Sequence, residues 1–351
     1  MTHGGNVWEG NSPSQWLDYS ANIRPGGAPE WVMAALGEGM RDVSYYPDPQ
    51  MKRAGASMAR YLETGPEFVR PTAGGISAID MAAHLDAAGM VILTPCFAEY
   101  AFQCANWAKS TRKVSLLRAR HCPGDPAEMV ESALFEGCAV WLCNPLNPVG
   151  NAYSRVQIQG LLKRVEEVHG WLIIDEAFIE YCRQHSSVDL VGMYERLLIT
   201  GSLTKILGIP GVRLGYLCGQ PQVLASLDRY QLNWELNCFA GAVACALPWH
   251  KGEIQAEARA NALRRERMRA DLEAMGVFVY PSEASFLLAD FGRPVGFIAR
   301  RLKERKILVR TCMNFDGIDD GRHLRLAVKD DASNRRLMDA LREEITCAEN
   351  H

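Results

Sequence analysis

The 351-residue sequence lacks the features that mark several classes of protein. No apolar run approaches the roughly 20 residues that cross a bilayer. The first ten residues, MTHGGNVWEG, contain neither the basic nor the apolar region of a secretory signal. Lys+Arg number 38 against Asp+Glu 41, and this balance gives no reason to expect a nucleic-acid or anionic-membrane partner. We therefore expect a cytoplasmic protein with neither kind of partner.

A paired-cysteine pattern is also missing. The eleven cysteines are odd in number, form no CxxC motif and include several in apolar runs such as 138–143, CAVWLC. This pattern favours reduced cysteines that pack as small hydrophobic side chains. A zinc cluster would need tighter ligand spacing, so no metal site is expected.

The middle of the chain alternates short apolar runs with helical patterns. Five runs are predicted to be buried strands, at 91–94, 139–144, 171–178, 197–200 and 212–218, and one amphipathic helix is predicted at 154–170. Near-continuous apolar strands separated by a helix favour a mostly parallel sheet covered on both faces. Ligands of such sheets bind at the carboxyl ends of the strands, where polar residues cluster in this sequence.

The pattern changes after residue 250 to a long charged helix at 253–276, followed by short apolar runs that indicate an α+β domain. The predicted fold class is α/β, with a large doubly wound, mostly parallel domain and a smaller α+β domain. The predicted boundaries are an N-terminal arm (1–45) packing on the small domain, a large domain (46–248) and a small domain (249–351).

Lys205 lies in an unusually apolar stretch, SLTKILGIPGVRLGY at 202–216. Burial makes the charged form of an amine less stable, so Lys205 is a candidate nucleophile toward a carbonyl group. The simpler alternative is a surface lysine that follows a strand.

Several motifs in this part of the chain resemble those of a known enzyme family. Four of them fall in the order of fold-type I pyridoxal-phosphate enzymes, in the branch that contains histidinol-phosphate aminotransferase: NPLNPVG (144–150), DEAF (175–178), SLTK (202–205) and GVRLGY (211–216). Other stretches are similar to the L-threonine-O-3-phosphate decarboxylases of cobalamin biosynthesis: HGGN (3–6), DYSANIRP (18–25), TPCFAEY (94–100) and DEAFIEY (175–181). The resemblance covers about residues 3–345. It implies pyridoxal 5'-phosphate as the cofactor, a homodimer, and a small phosphorylated amino acid as the substrate.

The resemblance also implies roles in binding the cofactor. Lys205 matches the Schiff-base lysine and Asp175 the carboxylate that pairs with the pyridine nitrogen, and these two are the expected catalytic residues. The other matches contact the ring or the phosphate: Asn147, Phe97, Ser202, Thr204, Arg213, the backbone amides of Gly75 and Ile76, and Tyr46 from the neighbouring subunit. Alternatives from local structure are an Asn-Pro turn for Asn147, a core position for Phe97 and an interface aromatic for Tyr46.

Substrate-binding residues are implied in the same way. His3, Asn22, Asn147, Arg310 and Arg325 are expected to contact the substrate, with Arg325 at its carboxylate. The segment NWELN, which contains Trp234 and Asn237, resembles a loop near the substrate.

Two departures from the family pattern bear on function. Residues 73–76 read Ala-Gly-Gly-Ile where relatives commonly have Gly-Asn-Gly and polar residues, so we expect backbone amides to remain as phosphate donors and a side-chain ligand to be lost. Phe178 replaces the aminotransferase tyrosine, as in the decarboxylases. We expect decarboxylation of O-phospho-L-threonine to (R)-1-amino-2-propanol O-2-phosphate. O-phosphoserine decarboxylation, a histidinol-phosphate or related aminotransferase, and a non-catalytic pyridoxal-phosphate protein are the alternatives.

Overall fold

The computed structural model describes residues 4–8, 12–119 and 122–349. Within them the strands are β1 (Leu17–Asp18), β2 (Val69–Thr72), β3 (Met90–Thr94), β4 (Thr111–Ser115), β5 (Leu117–Ala119), β6 (Cys122–Pro123), β7 (Ala139–Cys143), β8 (Trp171–Asp175), β9 (Leu197–Ser202), β10 (Gly215–Cys218), β11 (Phe278–Val279), β12 (Phe286–Asp290), β13 (Ile307–Leu308), β14 (Arg310–Thr311) and β15 (His323–Ala327). The α-helices are α1 (Glu30–Gly39), α2 (Lys52–Leu62), α3 (Gly75–Ala83), α4 (Glu99–Asn106), α5 (Pro126–Val130), α6 (Arg155–Glu166), α7 (Pro221–Leu227), α8 (Cys238–Ala246), α9 (Lys251–Ala274), α10 (Gly296–Glu304) and α11 (Asp331–Glu349).

The largest sheet has seven strands in the order β2-β10-β9-β8-β7-β3-β4. Neighbouring strands from β9 to β4 pair in parallel, whereas β10 runs antiparallel to both β2 and β9. Every residue of β3, β7 and β9 is buried, as expected for strands covered by helices on both faces. The predicted α/β class with a mostly parallel sheet is confirmed.

Three predicted elements are too long. The strand predicted at 171–178 ends at Asp175, because the Asp175 side chain accepts a hydrogen bond from the Ala177 amide (3.0 Å) and turns the chain. The strand predicted at 212–218 begins only at Gly215, since Arg213 has a left-handed φ of 65°. The helix predicted at 154–170 starts at the capping box of Ser154 and ends at Glu166.

A second, smaller hydrophobic core surrounds the antiparallel sheet β11-β12-β15-β14 and includes residues of α9, α10 and α11. The chain segment before residue 45 contacts both cores. β1 pairs in parallel with β13, and Tyr19 is buried in the smaller core. Trp31 and Val32, on α1, belong to the larger core, where α1 packs against α8. The domain boundaries remain a prediction.

None of the helices described is long and apolar enough to cross a membrane.

Candidate active site

A cavity of about 220 Å³ opens at the carboxyl ends of the central strands of the large sheet. Most of the predicted site residues line it: Asn22, Gly75, Ile76, Phe97, Asn147, Asp175, Ser202, Thr204, Lys205, Arg213, Arg310 and Arg325. They come from eight separate parts of the chain. The cavity lies where open α/β sheets bind their ligands.

Asp175, the last residue of β8, is 3% exposed. Its Oδ2 accepts a hydrogen bond from the Tyr100 hydroxyl at 2.5 Å, and its Oδ1 accepts from the Ala177 amide and from Thr200 Oγ1 at 3.0 and 3.3 Å. Burial raises the pKa of this carboxyl, while the hydrogen bonds and the charge of Lys205 oppose the rise. A fixed carboxylate in this setting favours a cationic partner in the cavity.

Lys205 follows β9 in a turn held by its apolar neighbours. Leu203, Ile206 and Leu207 are buried in the core, whereas Thr204 and Lys205 line the cavity. Its carbonyl accepts a hydrogen bond from the Arg24 amide at 3.1 Å. Burial lowers the pKa of Lys205 to about 8. The positive charges of Arg213 and Arg325 lower this pKa further, whereas the negative charge of Asp175 opposes the shift. The amine is therefore partly neutral at ordinary pH.

An anion cradle is formed by the turn between β2 and α3 together with the ends of β9 and β10. Gly74 has a φ of +80°, and a Cβ on it would lie 2.5 Å from Arg213 Nη2. A Cβ on Gly215 would lie 2.7 Å from the Gly75 amide nitrogen. Only glycine permits this close approach of backbone and guanidinium. The arrangement suits a phosphate, which binds well at a helix N-terminus beside an arginine.

Ser202 and Thr204 add hydroxyl groups to the cradle. Their oxygens are 2.9 Å apart, and both side chains are buried and line the cavity. Hydroxyl groups at this position can each donate a hydrogen bond to an anion.

A second cationic group lies at the other end of the cavity. Arg325, on β15, is 7% exposed and donates to Asn147 Oδ1 at 2.8 Å and to the Ser20 carbonyl at 2.7 Å. Its Nε is buried and has no protein partner. Burial lowers the pKa of Arg325 to about 10, yet the guanidinium stays charged. Arg310 is also buried, and its Nη2 donates to Asn314 Oδ1 at 2.7 Å.

Three predicted residues within the described part of the chain do not line the cavity. Tyr46 is 82% exposed and contacts Trp234, with ring centroids 4.8 Å apart. Trp234 and Asn237 belong to a loop that does not line the cavity of this chain, and their expected place near the substrate remains a prediction. Asn237 instead caps α8 through the Ala240 amide. His3 lies outside the described residues.

Sequence reasoning missed several cavity and supporting residues. Tyr100 and Thr200 bind the carboxylate of Asp175, while Ser20, Asn314 and Phe315 line the cavity with Arg310 and Arg325. Tyr100 lies in the motif TPCFAEY and Ser20 in the motif DYSANIRP, so the sequence contained a signal that could have identified both. The other three have no local pattern that marks them.

The cavity fits pyridoxal phosphate. Among the described residues that line it, four side chains are cationic, and Asp175 is the single carboxylate. The cradle suits the phosphate, Asp175 suits a protonated ring nitrogen, and Phe97 offers an aromatic face. Asn22 Oδ1 is buried without a partner and would gain one from a ligand. No cluster of His, Cys, Asp or Glu in the described part of the chain could hold a metal ion.

A family model for class I and II aminotransferases matches residues 14–341. The chain belongs to this family. Class I and II aminotransferases and their relatives act with pyridoxal phosphate, and this chain is a pyridoxal-phosphate-dependent enzyme of the class.

Both relatives anticipated from the motifs are found among curated class I and II proteins. A threonine-phosphate decarboxylase of Salmonella typhimurium is 32% identical over 98% of this chain and 96% of its own length. A histidinol-phosphate aminotransferase of Caldanaerobacter subterraneus is 29% identical over 93% of this chain and 92% of its own.

Solved structures of the class show the same fold. A histidinol-phosphate aminotransferase from Clostridium acetobutylicum matches with a TM-score of 0.86 and 27% identity, over 93% of this chain and 98% of its own. Another from Sinorhizobium meliloti, solved in complex with pyridoxal-5'-phosphate, matches with a TM-score of 0.82 and 21% identity, over 93% and 90%.

Proposed function

We propose that this enzyme decarboxylates O-phospho-L-threonine to (R)-1-amino-2-propanol O-2-phosphate, a step of cobalamin biosynthesis. The observation that carries the proposal is the second cationic group, Arg310 and Arg325, in the cavity beyond the phosphate cradle. Phosphothreonine carries both a phosphate and a carboxylate, and each of these anionic groups suits one of the two arginines. The 32% identity with a threonine-phosphate decarboxylase along nearly the whole chain supports the same reaction.

The residues of the cradle and of β8 would hold the cofactor. Pyridoxal phosphate, when bound, supplies the electron sink for the pair left at the substrate α-carbon. Asp175, whose carboxylate is oriented by three hydrogen bonds, would pair with the protonated ring nitrogen and stabilise its charge. Lys205 would supply the amine that holds the cofactor through its aldehyde carbon. Arg213, Ser202 and Thr204 bind the phosphate.

The substrate-end residues would decide which bond breaks. The bond that stands perpendicular to the cofactor ring is the one cleaved, so a decarboxylase must hold the carboxylate out of the ring plane. Arg325 is rigid enough to do so, since Asn147 and the Ser20 carbonyl fix its guanidinium. Arg310 and Asn22 would bind the substrate phosphate, and His3 is assigned to it on the resemblance alone. After carbon dioxide leaves, the Lys205 Nζ returns a proton to the α-carbon.

We also infer a homodimer in the cytoplasm, in which Tyr46 reaches the neighbouring subunit's cradle. Tyr45 and Tyr46 line one surface groove and are both more than half exposed, and such aromatic groups on one surface favour burial against a partner. Sedimentation at micromolar concentration tests the dimer. A Tyr46→Phe variant that binds pyridoxal phosphate as tightly as wild type would contradict the role of its hydroxyl.

The reaction is tested by incubating the cofactor-loaded enzyme with O-phospho-L-threonine and no keto acid, and by measuring carbon dioxide and aminopropanol phosphate. Lys205→Ala is the inactive control. O-phosphoserine is run in parallel, because one methyl group provides only about 1–3 kcal/mol of discrimination. Catalytic release of carbon dioxide supports the proposal. Turnover of histidinol phosphate with 2-oxoglutarate, without any carbon dioxide release, would establish the aminotransferase instead.

A further inference from the structure

The segment 231–237 binds both elements of the anion cradle, although it does not line the cavity. The Gln231 side chain donates to the carbonyl of Pro71 in β2 at 2.7 Å. The Asn237 side chain donates to the carbonyl of Val212 at 3.0 Å, directly before the cradle arginine. The segment therefore connects the two chain regions that have to face one phosphate group.

Glu235 makes the central contact of this segment. It is 9% exposed, and its Oε1 accepts hydrogen bonds from the Ala73 amide at 2.7 Å and from the Ser77 hydroxyl. Ala73 and Ser77 stand on either side of Gly75 and Ile76, whose amides are the expected phosphate donors. One carboxylate oxygen thus joins the two ends of the phosphate-binding turn, through bonds strengthened by its charge.

The turn needs such a contact because of its own sequence. Gly74 and Gly75 are adjacent, and glycine loses more conformational freedom on ordering than any other residue. Within the turn, the Thr72 hydroxyl donates to the Gly74 carbonyl at 3.0 Å. Ala73 contributes no polar side chain. Restraint of the turn from outside therefore comes from Glu235.

We propose that Glu235 is a positioning residue of the cofactor phosphate site, which orders the 73–77 turn before the cofactor binds. The inference depends on the proposed placement of the cofactor phosphate on this turn. When Glu235 is removed, a positioning role and simple charge repulsion predict opposite changes in the affinity for pyridoxal phosphate. A carboxylate beside a phosphate repels it, so a purely electrostatic role would make removal of Glu235 strengthen binding. A positioning role makes removal weaken binding.

The test is a fluorescence titration of the apoenzyme with pyridoxal phosphate and, separately, with pyridoxal, which lacks the phosphate. We expect Glu235→Ala to raise the Kd for pyridoxal phosphate at least tenfold and the Kd for pyridoxal less than twofold. Glu235→Gln keeps an acceptor oxygen and should stay within threefold of wild type for both. Asn233→Ala, an exposed change in the same segment, is the matched control.

Equal weakening of both ligands, unchanged affinity, or tighter binding of pyridoxal phosphate by Glu235→Ala would each overturn the proposal. If Glu235→Ala does not fold, Ser77→Ala removes one of the two hydrogen bonds to Glu235. It should weaken the binding of pyridoxal phosphate and leave the binding of pyridoxal unchanged. Arg213→Gln checks the cradle itself. If it weakens pyridoxal as much as pyridoxal phosphate, the placement of the phosphate is wrong, independently of Glu235 and of the reaction catalysed.

Discussion

We expect the amine of Lys205 in the apoenzyme to titrate near pH 8. Burial is the main cause, Arg213 and Arg325 lower the pKa further, and Asp175 opposes them. An amine with this pKa is roughly 10% neutral at pH 7, whereas a free lysine with a pKa of about 10.4 is roughly 0.04% neutral. Lys205 therefore has on the order of 200-fold more of the reactive form at that pH.

Trace labelling with acetic anhydride between about pH 6 and 11, quantified by mass spectrometry, measures this neutral fraction. The labelling rate of Lys205 should rise about tenfold per pH unit below pH 8 and level off above it. Lys163 is exposed on α6 and gives a reference curve from the same sample. Comparing midpoints rather than rates removes the effect of limited reagent access to the cavity.

Two variants test the stated causes with opposite signs. Arg213→Gln removes a positive charge near the amine and should move the midpoint of Lys205 upward. Asp175→Asn removes a negative charge and should move it downward. A midpoint of Lys205 as high as that of Lys163 would refute the reasoning, as would shifts of the two variants in the same direction.

Three other substitutions have defined outcomes. Arg325→Lys should lower kcat/KM for O-phospho-L-threonine about 10- to 150-fold, equivalent to one charged hydrogen bond of about 1.5–3 kcal/mol. The control in the carbon dioxide assay is Arg342→Lys, a change at an exposed residue. Equal kcat/KM values for the two variants would contradict the role of Arg325 at the substrate carboxylate. Gly74→Ala forces a Cβ against Arg213 at a φ of +80°. It should weaken pyridoxal phosphate binding at least tenfold in a fluorescence titration, and an unchanged Kd would show that the turn adapts. Burial raises the pKa of Glu176 from 4.5 to about 7, so the stability contributed by this group is complete below pH 4.5 and lost as pH rises through 7. Relative to wild type, Glu176→Gln should therefore gain up to about 3 kcal/mol in free energy of unfolding between pH 4.5 and 8, measured with urea, and a pH-independent difference would contradict this.

The motifs located the cofactor end of the cavity because its geometry is local. Asp175 ends β8, and Lys205 and Arg213 both lie in the connection between β9 and β10. Alternating apolar runs likewise predicted the parallel sheet, since burial on both faces requires continuous hydrophobic strands. The predicted ends of these strands were less accurate, because the turns after Asp175 and before Gly215 depend on hydrogen bonds and backbone angles that hydrophobicity does not encode.

The sequence by itself determined the class of fold, the cofactor and the order of the groups that bind it. The tertiary structure decided which distant groups meet. Arg325 is joined to Asn147 across 178 residues, and Glu235 reaches Ala73 across 162. The first contact depends on how the two hydrophobic cores pack against each other, and the second depends on packing around the larger core. No periodicity or short motif records either of them. The physical reason is that secondary structure follows from neighbours along the chain, whereas a binding site is built from residues that packing brings together.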